Sequence, residues 1–225
     1  MSLLCNPFAT RFTKPAAGEY LFPGDVDAEA LVARLRGTRW WGQITGPHGS
    51  GKSTLVQTLL PRLEAAGRVI ELHTVSPFWP RSASAVPAFG SRRAGVAGWG
   101  SATQVVLDGF EQLGWLKRTW WKWQCRRHGA GLLVTGHDDL GLPRIWQTET
   151  SAELTRLLVY RLLGESNAAW LPAGQLDQLF AAHRGNVREV LFALYDLYEQ
   201  QFRCISSKKE PRAGREEEFE GVEAS

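Results

Sequence analysis

The sequence lacks the features that mark membrane-spanning, secreted and disulfide-rich proteins. It has no uninterrupted run of about 18 apolar residues, so no transmembrane helix is expected. Its first residues, MSLLCNPFATRF, do not combine a basic start with an apolar stretch, so no secretory signal is expected either. Its three cysteines, Cys5, Cys125 and Cys204, are too few and too far apart for a disulfide framework or a zinc site. We therefore expect a cytoplasmic protein whose cysteines act as small buried apolar residues.

Charge is distributed unevenly along the chain, although the formal net charge is only +3. Residues 206–225 hold four basic and six acidic residues, and we interpret them as a disordered, dispensable tail. Residues 76–128 hold eight lysines and arginines against two carboxylates, with tryptophans among the cations. This second region is therefore a candidate surface for an anionic partner.

The hydrophobic pattern divides the chain before that tail into three regions. Residues 1–24, rich in proline, glycine and aromatic side chains, are interpreted as an irregular arm. In residues 25–150 short apolar runs alternate with helical periodicity, which is typical of a parallel sheet flanked by helices. Residues 151–205 show helical periodicity alone and predict a small all-helical lid. The predicted fold class is therefore α/β, a parallel sheet with flanking helices followed by that lid.

Individual elements follow from the same pattern. Strands are expected at residues 40–45, 68–75, 104–107, 131–135 and 143–147. Helices are expected at residues 25–36, with Asp25 as N-cap, and at 52–66, 110–127, 151–163, 173–183 and 186–202. Segment 76–102 has no periodicity, and a segment of that length inside a compact domain is usually a functional loop or disordered.

The strongest motif is GPHGSGKST, residues 46–54, which fits G-x-x-x-x-G-K-[ST] between a predicted strand and a predicted helix. Glycines let backbone N–H groups curl around phosphate oxygens, and the following helix presents its positive N-terminus to the same anion. Lys52 is expected to reach the β- and γ-phosphates, and the Ser53 hydroxyl to bind Mg²⁺. The sheet is accordingly predicted to be that of a P-loop NTPase. The predicted nucleotide-binding residues are Gly46, Pro47, His48, Gly49, Ser50, Gly51, Lys52, Ser53 and Thr54.

The nucleotide is expected to be ATP. The Asn-Lys-x-Asp motif that reads guanine does not occur in the sequence. Tyr20 and Phe22 in the N-terminal arm are candidates for packing on the base.

A second motif, VVLDGFEQL at residues 105–113, is an apolar strand that ends in a carboxylate. This is the Walker B pattern, in which Asp108 holds Mg²⁺ at the carboxyl end of its strand. The alternative is a solvated aspartate in an Asp-Gly turn. Hydrolysis also needs a carboxylate that positions water. Glu111 is the candidate for that catalytic role, and a surface glutamate on a first helical turn is the alternative.

Two further segments carry candidate catalytic residues. GLLVTGH, residues 131–137, predicts a strand beside the glycine loop, and Thr135 or His137 at its end can touch the γ-phosphate or the attacking water. A simple strand-end turn is the alternative. The last predicted helix opens with HRGNVREV, in which Arg188 can swing over the nucleotide as the helical part closes. Its alternative is an exposed helix arginine.

The order of these motifs resembles the AAA+ class of P-loop ATPases over residues 25–203. GNVR at 185–188 is similar to the sensor-2 motif, which implies that Arg188 contacts the γ-phosphate. QTETSAEL at 147–154 resembles the stretch that leads into such lids. The resemblance also implies a sensor-1 role for Thr135 and, for Arg144, an arginine finger acting on another subunit of a homo-oligomer.

The sequence departs from the AAA+ pattern at the second motif. Gly109 follows Asp108 where AAA+ proteins usually have glutamate. LDGFEQL is similar instead to the corresponding segment of STAND signalling ATPases, the switch-like relatives of AAA+ proteins. This departure bears on how efficiently the protein hydrolyses ATP.

Residues 115–128, WLKRTWWKWQCRRH, combine four tryptophans with five cations, and Arg81, Arg92, Arg93 and Trp99 precede them. Such a segment suits nucleic acid, a membrane surface or a partner protein. The alternative is structural, because a helix between two strands buries one face on the sheet. Leu116, Trp120 and Trp123 have the i, i+4, i+7 spacing of such a face.

Three functions are compatible with these motifs. The first is a Mg²⁺-dependent ATPase whose ATP binding closes the lid. The second is a nucleotide-dependent switch in which binding, without turnover, changes affinity for a partner. The third is a kinase of a small molecule or nucleotide, for which the arginines of segment 81–93 would serve as a lid over an acceptor.

Overall fold

The structure, a computed structural model, describes residues 6–13, 18–75, 98–164, 171–172 and 174–207, with side chains described as far as Gln201. The predicted roles of segment 81–93 and of the tail from Lys208 onward lie outside the described residues.

The central element is a five-stranded, wholly parallel sheet, as the alternation of strands and helices predicted. Its spatial order is β2-β3-β4-β1-β5. The inner strands β3 and β4 are buried almost throughout, as expected for strands covered on both faces, whereas the edge strand β2 alternates in exposure. The strands are β1 Trp41–Thr45, β2 Val69–Thr74, β3 Thr103–Asp108, β4 Gly131–Gly136 and β5 Arg144–Gln147.

Seven α-helices occur in the described ranges, and the last three follow one another without an intervening strand. The N-cap of α2 is Asp27, whose side chain accepts from the Ala30 N–H, so the prediction of Asp25 was wrong by two residues. None of the described helices is long and apolar enough to cross a membrane. The helices are α1 Thr10–Thr13, α2 Ala28–Gly37, α3 Lys52–Ala65, α4 Trp115–Arg127, α5 Ala152–Leu163, α6 Gln175–Ala182 and α7 Val187–Ser207.

The predicted continuous helix over 110–127 is interrupted. A single 3₁₀ turn, Phe110–Gln112, follows β3, and α4 begins only after Gly114, whose backbone is extended. Gly109 has φ 88°, a left-handed conformation that turns the chain sharply after the strand and that glycine adopts without steric cost. This turn places Glu111 beside the end of the sheet and not on the side of a helix.

Each face of the sheet has its own core. Alternate residues of the inner strands separate the two faces, so that Val106 packs with α2 and α3 while Val105 and Leu107 pack with α4. Cys125 lies fully buried in the second core, and burial raises the pKa of its thiol to about 12. This confirms that Cys125 acts as a buried apolar residue. A third core joins α5, α6 and α7, and Phe8 of the N-terminal arm is buried in it.

The structural interpretation of Leu116, Trp120 and Trp123 is wrong. All three side chains are exposed, and among the residues of α4 only Cys125 is fully buried. The i, i+4, i+7 spacing does define one face of the helix, but that face points to solvent. The sequence could not reveal this, because periodicity shows which residues share a face and not which way the face points.

Candidate functional site

The glycine loop, residues 46–54, connects the carboxyl end of β1 to α3 and lies at the sheet edge where β3 and β4 also end. Gly46 and Gly49 are the positions where it is packed most tightly. A Cβ at Gly46 would collide with the side chain and the carbonyl of Thr148, and one at Gly49 (φ 71°) with the Asn186 side chain. The loop is therefore held between the chain after β5 and the start of α7.

Thr148 is a buried support of this loop that the sequence analysis did not single out. Its hydroxyl hydrogen-bonds with the Ser50 hydroxyl at 2.6 Å and donates to the Thr45 carbonyl at 3.2 Å. Its backbone N–H donates to the same carbonyl at 2.7 Å. Thr148 lies in the stretch 147–154 that resembles the lead-in to a lid, but its residue type alone gives no sign of this role.

Replacing Thr148 by valine is expected to lower the free energy of unfolding by about 1–3 kcal/mol, because a buried hydroxyl that bonds to two partners is lost. Urea denaturation measures the change. Thr74→Val at an exposed position of β2 is the matched control and should stay within about 0.5 kcal/mol of the wild type. An equal effect of the two substitutions would contradict the supporting role of Thr148.

Lys52 is the first residue of α3, and its side chain folds back over the loop. Its Nζ donates to the carbonyl oxygens of Gly46 at 2.6 Å and Pro47 at 2.7 Å. Burial lowers the pKa of Lys52, the nearby charges of Glu111 and Asp108 oppose that effect, and Arg188 adds to it. The ammonium therefore lies in the concavity of the loop, within electrostatic range of three other candidate residues.

Glu111 reaches this site through His137. The His137 Nε2 lies 3.1 Å from Glu111 Oε1, and its Nδ1 lies 3.3 Å from the Lys52 ammonium. A ring protonated at Nε2 satisfies both contacts by donating to Glu111 and accepting from Lys52. The Nδ1 atom also lies 3.1 Å from the Gly46 carbonyl oxygen, which takes its hydrogen bond from Lys52. A surface position for Glu111, the alternative considered above, does not fit these contacts.

The second carboxylate oxygen of Glu111 is the least satisfied polar atom in this group. Oε2 is buried and has no hydrogen-bond partner among the described residues. Leaving a buried acceptor unpaired is costly, so such an atom usually has a water, ion or ligand as its partner. Oε2 also lies 3.4 Å from where a Cβ at Gly136 would be, which places it at the end of β4.

Asp108 and Thr135 are coupled directly. The Thr135 hydroxyl donates to Asp108 Oδ1 at 2.6 Å and accepts from the Gly109 N–H at 2.8 Å. Thr135 is buried at the end of β4, so it holds Asp108 in place from the neighbouring strand. Asp108 is accordingly a fixed carboxylate at the carboxyl end of β3.

Ser53 and Asp108 offer a hydroxyl and a carboxylate, the hard oxygen ligands that suit Mg²⁺. Magnesium commonly takes only one or two protein oxygens and completes its coordination with phosphates and water. The described residues contain no cluster of three or more His, Cys, Asp or Glu side chains arranged for a metal ion, and a site of this kind does not require one.

The start of α7 packs on the glycine loop. The Arg188 backbone nitrogen lies 3.2 Å from the position of a Cβ on Gly49, and the Asn186 side chain is closer still. The Arg188 side chain is exposed, yet its charge contributes to lowering the pKa of both Lys52 and His48. Arg188 therefore lies at the rim of the site, in the element that joins the helical part to the loop.

His48 shares this environment. Burial is the largest cause of its lowered pKa, followed by the charges of His137 and Lys52, while Glu111 acts in the opposite direction. The rings of His48 and His137 pack with their centroids 3.6 Å apart. His48 and His137 thus form a ring pair over the loop.

Arg144 and the two aromatic residues of the arm lie elsewhere. Arg144 is the first residue of β5, paired in register with Gln43, and its guanidinium donates to Gln147 at 3.1 Å. The structure therefore does not bring Arg144 to the loop of its own chain. Tyr20 is buried in the core with Phe22 against it, and its ring packs beneath Gly51, so Tyr20 supports the loop and is not presented to a base.

Comparison with known proteins adds no family assignment. No protein-family model matches this chain, and no curated protein matches it.

Proposed function

We propose that this protein is a Mg²⁺-dependent ATPase whose site is the glycine loop and the side chains around it. The observation that carries the proposal is the joint position of Lys52, Glu111, Asp108 and Arg188. They come from α3, the 3₁₀ turn, β3 and α7, and all influence the same ammonium group. Two cations and two carboxylates around a glycine loop are the groups that phosphoryl transfer to water requires.

In the proposed reaction, the loop N–H groups and the N-terminus of α3 bind the phosphates. The Lys52 ammonium exchanges the Gly46 and Pro47 carbonyls for phosphate oxygens, which carry full negative charge and are stronger acceptors. Ser53 and Asp108 would hold Mg²⁺, which neutralises charge on the β- and γ-phosphates. Thr135 keeps Asp108 in position for this role.

Glu111 orients the attacking water through its unpaired Oε2, while His137 fixes the carboxylate through Oε1. The new bond joins the water oxygen to the γ-phosphorus as the bond to the β,γ-bridging oxygen breaks. Charge that develops on the transferred group is stabilised by Lys52 and by Arg188 from the rim. A group that bridges Arg188 and the loop would also link nucleotide binding to the position of the helices α5–α7.

A nucleotide-dependent switch is the second candidate, and one observation favours it. Glu111 already has a partner in His137, and Lys52 already bonds to the loop, so this arrangement is self-satisfied and would turn over slowly if His137 keeps Glu111 from water. The two candidates share the same nucleotide site. They differ in whether Glu111 works as a water-positioning group.

Steady-state phosphate release from ATP tests the proposal. We expect turnover that needs Mg²⁺ and stops when EDTA removes it, because Ser53 and Asp108 act through the metal. Bound ATP that is recovered intact after many minutes would favour the switch. Phosphate transfer to an added acceptor in place of water would favour the kinase alternative.

A further inference from the structure

Helix α4 carries its apolar side chains on the outside. Trp115 is 72% exposed, Leu116 64%, Trp120 44% and Trp123 51%. A helix that covers a sheet normally turns its apolar face inward, since that burial is what stabilises it. Exposing three indoles on one short helix instead leaves an apolar area without a cover, and such areas commonly mark interaction sites.

The cations that point inward on α4 explain how the helix is held in this orientation. Arg118 donates to the Glu111 carbonyl and lies over the Phe110 ring, and Lys122 donates to the Leu140 carbonyl at 2.7 Å. Together with the buried Cys125, these contacts fix the inner face of the helix. The outward position of the indoles is therefore specified by contacts on the opposite face.

The outer face is also positively charged. α4 contains no acidic residue, and Lys117, Arg126 and Arg127 are exposed on it. Arg127 follows Trp123 by four residues and Trp120 by seven, so it lies in line with the indoles. Its guanidinium lies over the Trp123 ring, 5.3 Å from the centroid. Rings and cations thus share one surface and are not separated into two faces.

We propose that this outer face of α4 binds an unpaired nucleic-acid strand. Such a strand presents flat bases and phosphates in alternation, so it offers a partner to both the indoles and the cations. A helix built to lie in a membrane interface separates its charged face from its apolar face, and here Arg127 would enter the lipid with Trp120 and Trp123. The interleaved order favours the strand.

The proposal does not depend on ATP hydrolysis. Its residues lie on the outer face of α4, whereas those of the proposed ATP site lie at the carboxyl edge of the sheet. Binding can therefore be measured without nucleotide, and its outcome is separate from that of the turnover assay.

The test is fluorescence anisotropy of a labelled oligodeoxythymidylate of about 16 nucleotides, a length that covers a single-domain binding site. The full chain carrying Trp120→Ala and Trp123→Ala should bind at least about tenfold more weakly, since each stacked base contributes about 1–3 kcal/mol. Leu157→Ala with Tyr160→Ala, which removes exposed apolar side chains from α5, is the matched control and should bind like the wild type.

A second variant separates a lost cation from a disturbed fold. Arg127→Gln should weaken binding and reduce the slope of log affinity against log salt by about 0.7, the value for one phosphate contact on a single strand. Equal affinity of the tryptophan variant and its control would overturn the proposal. So would stronger binding to vesicles rich in phosphatidylserine than to the strand, or a dimer that depends on Trp120 and Trp123, since either result assigns the face to another occupant.

Discussion

Replacing Lys52 by alanine is expected to reduce Mg²⁺-ATP turnover by about 10²–10³, the cost of removing one charged group aimed at the transferring phosphoryl oxygens. The ammonium is the only lysine nitrogen among the described residues that bonds to the glycine loop, where it contacts the Gly46 and Pro47 carbonyls. Its affinity for ATP should also fall, because the same cation contacts the phosphates in the ground state. Phosphate release and an equilibrium titration with ATP measure the two effects.

The control for Lys52 comes from the same helix. Arg62→Ala removes a cation from the far end of α3, where Arg62 pairs with Glu29 at 3.0 Å on the surface. It should leave turnover unchanged, since surface ion pairs contribute little and Arg62 does not contact the loop. Circular dichroism shows whether both variants fold. A folded Lys52→Ala protein with wild-type turnover would place hydrolysis outside this loop.

The second large effect is expected for Glu111→Gln. Turnover should fall by about 10²–10⁴, the usual contribution of a positioned general base, while ATP affinity stays close to that of the wild type. Glutamine keeps the shape and the contact with His137 but cannot accept a proton from water. Single-turnover hydrolysis, with protein in excess over ATP, isolates the chemical step from product release.

Glu64→Gln is the matched control for Glu111, since Glu64 is exposed on α3. It should leave single-turnover hydrolysis unchanged. If Glu111→Gln hydrolyses ATP as fast as this control, Glu111 does not position the water. If neither the wild type nor the variants hydrolyse bound ATP, the switch replaces the ATPase as the function of the site.

Much of the fold was predictable because its signals are local. Apolar runs alternating with helical periodicity indicate a parallel α/β sheet, and the structure has that sheet. The turn after β3 was less predictable: the helix expected from Phe110 is broken before Gly114. Helical propensity favoured continuity there, but the left-handed Gly109 and the packing of Phe110 redirect the chain.

The parts of the candidate site that the sequence did not predict depend on long-range contacts. His137 and Glu111 are 26 positions apart in the chain, and their pairing appears only when β3 and β4 lie side by side. Thr148 acts on Ser50 from 98 positions away. The outward direction of Trp120 on α4 is set by contacts of Arg118 and Lys122 that no local pattern encodes.

The central claim is that the glycine loop binds the phosphates of a nucleoside triphosphate, and calorimetric titration of the unmodified protein tests it most directly. The titrant is a non-hydrolysable ATP analogue with Mg²⁺, and AMP, which lacks the β- and γ-phosphates, is the comparison. We predict one-to-one binding of the analogue and at least about tenfold weaker binding of AMP, because Lys52 and the loop act on the missing phosphates. Equal affinity for the two ligands, or no binding of the analogue, would contradict the account.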